Sequence, residues 1–246
     1  MKAAAVIPAR YNSTRFPGKP LADIAGKSMI ARVYDQTQKA GEVDRVRVAT
    51  DDERIRKEVE KFGGEAVMTD RAHTSGTDRI AEAAADLEAD IIANVQGDEP
   101  LIKPDMIDKA IRLVKKNSDV EMSTLAAPMS EDKIEDRNIV KVVIDLNGNA
   151  LYFSRAPIPA APGREKAEND FRILQHIGLY VFRKNFLLKF SELSPTPLEK
   201  REKLEQLRAL EHGYKIKVGI ARHHGPGVDR PEDVKSVEKI LGGGDN

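Results

Sequence analysis

Through the first half of the chain, short apolar runs alternate with segments whose apolar residues recur every three or four positions. Residues 3–7 read as a buried strand that stops at Pro8, which cannot donate to a sheet ladder. Met29, Val33 and Tyr34 share one helical face and predict a helix near 29–40, with Gly41 as its stop. Residues 45–50 predict a strand, and Asp51-Asp52 caps a helix over 53–62 that Gly63-Gly64 ends. A short strand at 66–68 precedes a helix that starts at Ser75 or Thr77 and runs through Leu87. Residues 90–95 are apolar almost throughout, as suits a strand covered on both faces, and 103–116 reads as a helix with Pro104 in its first turn. This rhythm predicts an α/β fold with a mainly parallel, doubly wound sheet. Ligands of such sheets bind at the carboxyl ends of the strands, so the turns at 8–20, 50–51 and 96–100 should converge on one edge.

The second half changes character. Strands at 140–144 and 150–153 flank Leu146-Asn147-Gly148-Asn149, a hairpin signal. Residues 157–164 read as a Pro/Ala/Gly-rich loop, 177–182 as a strand and 184–190 as a helix. Leu204, Leu207 and Leu210 mark a further helix closed by Gly213. A strand at 215–220 and a helix at 231–240 with Pro231 at its first position complete the pattern. No repeat or linker composition divides the 246 residues. They read as a single domain, 1–246, with a smaller hairpin subdomain around 130–165.

Composition narrows the chemistry. Forty basic residues balance forty acidic ones, which argues against a nucleic-acid coat or a polybasic membrane binder; any anion site must be local. There is no cysteine, so thiolate nucleophiles, disulfides and Cys-based zinc sites are excluded. No apolar run approaches the roughly 18 residues of a membrane span, and no leader pattern opens the chain; the expectation is a cytoplasmic protein.

Four segments carry candidate chemistry. The loop at 8–20 places Arg10, Arg15 and Lys19 among Ser, Thr, Gly and three prolines. It is neither a Walker A loop nor a dinucleotide fingerprint, so a bound polyphosphate would be held by side chains rather than by a glycine cradle. Asn94-Val95-Gln96-Gly97-Asp98-Glu99-Pro100 presents Asp98 at the ligand edge, as a ligand to Mg²⁺ or as a turn former or helix cap. Gly225-Pro226-Gly227-Val228-Asp229 offers a second carboxylate, Asp229, equally suited to capping the helix at Pro231. Two carboxylates without a Cys or paired-His alternative favour magnesium over zinc. Residues 71–79 can read the polar edge of a base or simply cap a helix. In 175–180, alternation puts His176, Gly178 and Tyr180 on one face, either lining a hydroxyl-rich pocket or holding a satisfied half-buried histidine. His212, His223 and His224 read as surface residues.

These segments appear in an order that resembles the 3-deoxy-manno-octulosonate (Kdo) cytidylyltransferases. The likeness includes Ile7-Pro8-Ala9-Arg10-Tyr11, Val48-Ala49-Thr50-Asp51, Gly76-Thr77-Asp78-Arg79, Asn94 to Pro100, Tyr152-Phe153-Ser154-Arg155, His176 to Tyr180, Leu204 to Arg208 and Gly227-Val228-Asp229. It runs from Ile7 to Asp233; sialic-acid cytidylyltransferases share the plan but fit these motifs less well. The resemblance implies a mixed, mostly parallel sheet of the nucleotide-diphosphosugar transferase type. It also implies transfer of CMP from CTP to Kdo with release of pyrophosphate, within lipopolysaccharide biosynthesis.

By that likeness Arg10, Arg15 and Lys19 hold the triphosphate, with Arg15 alternatively a brace for the loop. Arg71, His73, Ser75 and Gly76 face the cytosine, and Gln96 the nucleotide. Asp98 and Asp229 hold Mg²⁺ and, with Lys19, form the catalytic set. Arg155, His176, Tyr180, Glu205 and Gln206 contact the sugar acid. The likeness also implies a homodimer that uses the hairpin as a contact region. Two departures stand out: Arg230 replaces a small polar residue, and the 160–168 loop is short. The competing readings are transfer to another 2-keto sugar acid, such as sialic acid, and non-catalytic nucleotide binding on the same fold.

Overall fold

A computed structural model describes residues 1–13, 15–73, 75–160, 172–222 and 225–243. The strands are β1 (Ala3–Ala9), β2 (Asp23–Ile24), β3 (Lys27–Ser28), β4 (Arg45–Thr50), β5 (Ala66–Met68), β6 (Ile91–Asn94), β7 (Met122–Pro128), β8 (Lys141–Ile144), β9 (Ala150–Ser154), β10 (Leu174–Arg183) and β11 (Ile216–Ile220). The helices are α1 (Met29–Gln38), α2 (Glu53–Lys61), α3 (Gly76–Ala84), α4 (Pro104–Lys116), α5 (Lys184–Glu192), α6 (Pro197–Glu202), α7 (Gln206–Glu211) and α8 (Pro231–Gly242). Among the described residues, nine strands form one sheet with the central order β11-β7-β10-β6-β1-β4-β5, and β8–β9 attaches to β10 as a hairpin.

The parallel half follows the sequence pattern. β1 pairs parallel with β4 and β6, and β4 with β5. Both faces are covered: α1, α2 and α4 bury Ile30, Val33, Ile55, Val59, Ile107 and Ile111 on one side. α3, α5 and α7 bury Ile80, Ala84, Phe186, Phe190 and Leu207 on the other. Each Val, Ile, Leu or Phe among them contributes about 1.5–3 kcal/mol on removal from water. The expected stop at Pro8 is corrected: β1 continues through Pro8, opposite Ala49, to Ala9. Pairing with β6 ends at Val6–Asn94, so an absent amide beyond that point breaks no bond on that edge.

The other half holds what the pattern did not reveal. β7 carries polar residues ahead of its short apolar stretch: Ser123 and Thr124 are fully buried within it, the former donating to Ala110 O (2.7 Å). β10 lies antiparallel between β6 and β7, and β11 pairs parallel with β7. The carboxyl ends of β1, β4, β6 and β11 therefore share one edge. α6 was also not predicted. β10 is ten residues long rather than six because it begins beside the hairpin, at Leu174. His223, His224 and residues 161–168 of the short loop lie outside the described residues, and His212 is exposed.

Candidate active site

The loop after β1 takes its shape from a local brace. Gly18 has φ +72°, a left-handed conformation that favours glycine, and a Cβ there would press to 3.2 Å from the Tyr11 ring. The Arg54 guanidinium stacks over that ring, 3.2 Å from its centroid, and is itself gripped by Asp52 through two bonds of 2.8 and 2.7 Å. Asp52 also caps α2, accepting from Arg54 N at 2.9 Å. The brace delivers Lys19 to the sheet edge.

There the Lys19 ammonium donates to Asp98 Oδ2 (2.7 Å) and Val228 O (2.9 Å) and lies 3.8 Å from Asp229 Oδ1. Arg15 Nη1 donates to Asp229 Oδ2 at 3.2 Å. Neither aspartate acts as a cap: Arg230, not Asp229, is the N-cap residue of α8, and Asp98 points to a lysine 79 positions away. The two turns that carry them are pressed together. Val228 N donates to Asp98 O (2.9 Å), and a Cβ on Gly227 would meet Glu99 Oε1 at 3.2 Å. Burial first, and then the neighbouring Asp98 and Asp229, pushes the Glu99 carboxyl up to about 8. The two aspartates gather around one cation, Lys19. With hard oxygen donors, the pair fits Mg²⁺. Among the described residues no cluster of three or more potential ligands occurs.

Arg10, Ser13, Lys19, Gln96, Asp98 and Asp229 wall a cleft of about 460 Å³, with Gly76 and Arg79 also lining it. Arg79 is buried and bonded to the Thr69 hydroxyl and to Asp51 Oδ2 (3.0 Å). It belongs to the quoted motif, but its burial is invisible in sequence. The rest of that motif divides. Ser75 caps α3, accepting from Asp78 N at 3.0 Å, so the helix-capping reading holds for it. Arg71 Nε donates to Asp51 O at 3.3 Å. His73 Nε2 pairs with Glu82 Oε2 (2.5 Å) and lines a separate groove between α3 and α5.

A second cluster lies beside the first. Gln96 Nε2 donates to Asn94 Oδ1 (2.8 Å), and its Cγ packs against Gly178 of β10, where a Cβ would stand 3.7 Å away. The pairing of β10 with β7 jumps from Ile177–Leu125 to Tyr180–Thr124, looping out residues 178 and 179. In a regular strand, positions four apart lie about 13 Å from each other. Here the bulge brings the rings of His176 and Tyr180 to 5.3 Å, with Phe153 edge-on to His176 at 5.0 Å. The Thr124 hydroxyl caps the bulge against Ile177 O (3.1 Å) and Leu179 O (2.8 Å) and meets His176 Nε2 at 2.9 Å.

Burial, reinforced by Glu205, raises the Tyr180 phenol pKa. Burial likewise raises that of Glu205, which accepts from the Thr77 hydroxyl. Gln206 is 3 % exposed, and its Nε2 has no hydrogen-bond partner among the described residues, an orphan suited to a polar ligand. Arg155, within electrostatic reach of Tyr180, donates from Nε to Glu202 O and from Nη1 to Arg137 O, both at 3.1 Å.

A cytidylyltransferase family model matches residues 4–216. The chain is 53 % identical to the 3-deoxy-manno-octulosonate cytidylyltransferase of Geotalea uraniireducens, over 98 % of this chain and 99 % of that one. It is also 53 % identical to the enzyme of that name from Syntrophotalea carbinolica, over 99 % of this chain and the whole of that one. The chain belongs to the 3-deoxy-manno-octulosonate cytidylyltransferase family.

Within that family, a CMP:2-keto-3-deoxy-manno-octonic acid synthetase solved in complex with CTP superposes with a TM-score of 0.94, at 42 % identity over 98 % of this chain and 99 % of that one. A cytidylyltransferase from Leptospira borgpetersenii, 17 % identical with a TM-score of 0.65 over 98 % of this chain and 87 % of that one, shares the fold. One glycine of the family motif has a steric reason. A Cβ on Gly97 would sit 2.8 Å from Pro8 O, a backbone atom that cannot swing aside. Gly97→Ala should therefore cost about 1–3 kcal/mol and lower the melting temperature by about 2–10 °C. Thermal unfolding checks this; an unchanged transition would mean that the two strand ends are not in contact.

Proposed function

We propose that this protein transfers CMP from CTP to the anomeric hydroxyl of Kdo, yielding CMP-Kdo and pyrophosphate. The observation that carries the reading is the junction, at Gln96 and Gly178, of a cation-lined cleft with a buried polar cluster. The acceptor oxygen bonds to the α-phosphorus as the α–β anhydride bond breaks. Pyrophosphate leaves with the electron pair, and the hydroxyl proton passes to water.

Such transfer needs positioning and charge neutralisation more than covalent help. Arg10, Arg15 and Lys19 bind the triphosphate, and Arg10 and Lys19 stabilise the leaving pyrophosphate. Gln96 contacts the nucleotide, while Gly76 in the cleft, with Arg71 and Ser75, faces the base; His73, paired with Glu82 in the α3–α5 groove, is left out of the base site. Arg155 pairs with the acceptor carboxylate, and His176, Tyr180, Glu205 and Gln206 bind its hydroxyls. Asp98 and Asp229 would hold Mg²⁺, which supplies neutralisation at the α-phosphate and acidifies the acceptor hydroxyl.

Two exposed leucines of the hairpin, Leu146 and Leu151, support a homodimer contact there. Among the described residues, no helix is long and apolar enough to cross a membrane. The proposed setting is the cytoplasm, within lipopolysaccharide biosynthesis. Pyrophosphate release with CTP, Mg²⁺ and Kdo tests the reading, repeated with UTP and with sialic acid. Release is expected with CTP and Kdo alone; equal release with sialic acid would overturn the acceptor assignment.

A further inference from the structure

β8 opens with a charge that its strand pattern gives no reason to bury. Lys141 is fully buried ahead of Val142 and Val143, and its ammonium donates to three backbone carbonyls: Asp136 O (2.9 Å), Ile139 O (2.8 Å) and Arg155 O (2.7 Å). Three acceptors satisfy its three protons. A buried charge is expensive even when well bonded, and an apolar side chain would pack here at lower cost. Burial lowers the lysine's pKa, opposed chiefly by Asp136 and Glu135.

The three carbonyls come from two segments, the 136–139 turn and the end of β9. The same segments meet again at the Arg155 side chain, whose Nη1 donates to Arg137 O. Arg137 lies between the two turn residues that Lys141 holds. Glu202 completes the seat. Its carboxylate accepts from Arg155 N (2.9 Å) and the Ser154 hydroxyl (2.7 Å), and its main-chain oxygen accepts from Arg155 Nε. A lysine with no route to the substrate thus sets the carbonyl that aims an arginine.

We propose that Lys141 is a positioning residue for the acceptor: its ammonium ties the 136–139 turn to the Arg155 main chain so that Arg137 O orients the Arg155 guanidinium toward the sugar-acid carboxylate. The inference rests on the reading of Arg155 as an acceptor contact.

The test is a double-mutant cycle on the full chain, with Lys141→Met, Arg155→Ala and the pair, measuring KM for Kdo and for CTP separately. Lys141→Met should raise KM for Kdo about tenfold, the scale of one charge-assisted hydrogen bond, with KM for CTP within about twofold. Combining it with Arg155→Ala should raise KM for Kdo no further than Arg155→Ala alone. Should Lys141→Met not fold, Lys141→Arg carries the same comparison: it keeps the charge, but a planar fork cannot reproduce the three-carbonyl geometry. An unchanged KM for Kdo, an equal rise for both substrates or additive effects would overturn the proposal. If Arg155→Ala itself leaves KM for Kdo unchanged, the reading of Arg155 fails and the proposal with it. A failure confined to the Lys141 variants leaves that reading standing.

Discussion

Asp98→Asn should lower the rate of CMP transfer by about 10²-fold or more, the scale of losing one electrostatic stabiliser of a transition state. The fold should survive. Asp98 sits in an open turn with its side chain 36 % exposed, and an ion pair so placed contributes about 1 kcal/mol or less. The asparagine keeps the shape and can still accept from Lys19, but it removes half of the paired negative charge that suits a divalent cation. Steady-state kinetics at saturating Mg²⁺, with circular dichroism as a control for folding, checks this. A near-native rate would sink the role given to the carboxylate pair.

Lys19→Ala should act on the nucleotide, raising KM for CTP by about 10- to 100-fold, the worth of a hydrogen bond to a charged group in a partly buried site. Lys19 is 15 % exposed and ordered by Asp98 and Val228 O, so little entropy is lost when a phosphate replaces the aspartate as its partner. The same substitution also leaves Asp98 and Asp229 facing each other without their cation. KM for the acceptor should hardly move. Titration with a non-hydrolysable CTP analogue separates binding from chemistry; unchanged affinity would refute a phosphate contact by Lys19.

Legibility in the sequence followed burial. Strands covered on both faces, such as β1 and β6, write themselves as apolar runs. The turns that follow them could therefore be placed on one edge, with Lys19 and Asp98 among them. β7 escaped because its buried Ser123 and Thr124 spend their hydroxyls on backbone carbonyls, which no periodicity records. Arg79 and Glu99 escaped for a related reason, since partners or neighbours distant in the chain define them, and Lys141 escaped because its partners are backbone carbonyls, which no side-chain pattern records. Ser75 shows the reverse, since the helix-cap reading accounts for the hydrogen bond it makes. His73 lies nine residues before Glu82, the partner that draws it toward the α3–α5 groove.

The two residues looped out of β10 have a consequence for how this pocket can change. His176 and Tyr180, four positions apart in the chain, come together where the ladder skips Gly178 and Leu179. Shortening the strand by those two residues would let the backbone pair without interruption and still leave every aromatic in the chain. The rings would then stand on a straight ribbon in which Gln96 no longer lies against a glycine. The shape of this cluster thus depends on the length of a strand as well as on the side chains it bears.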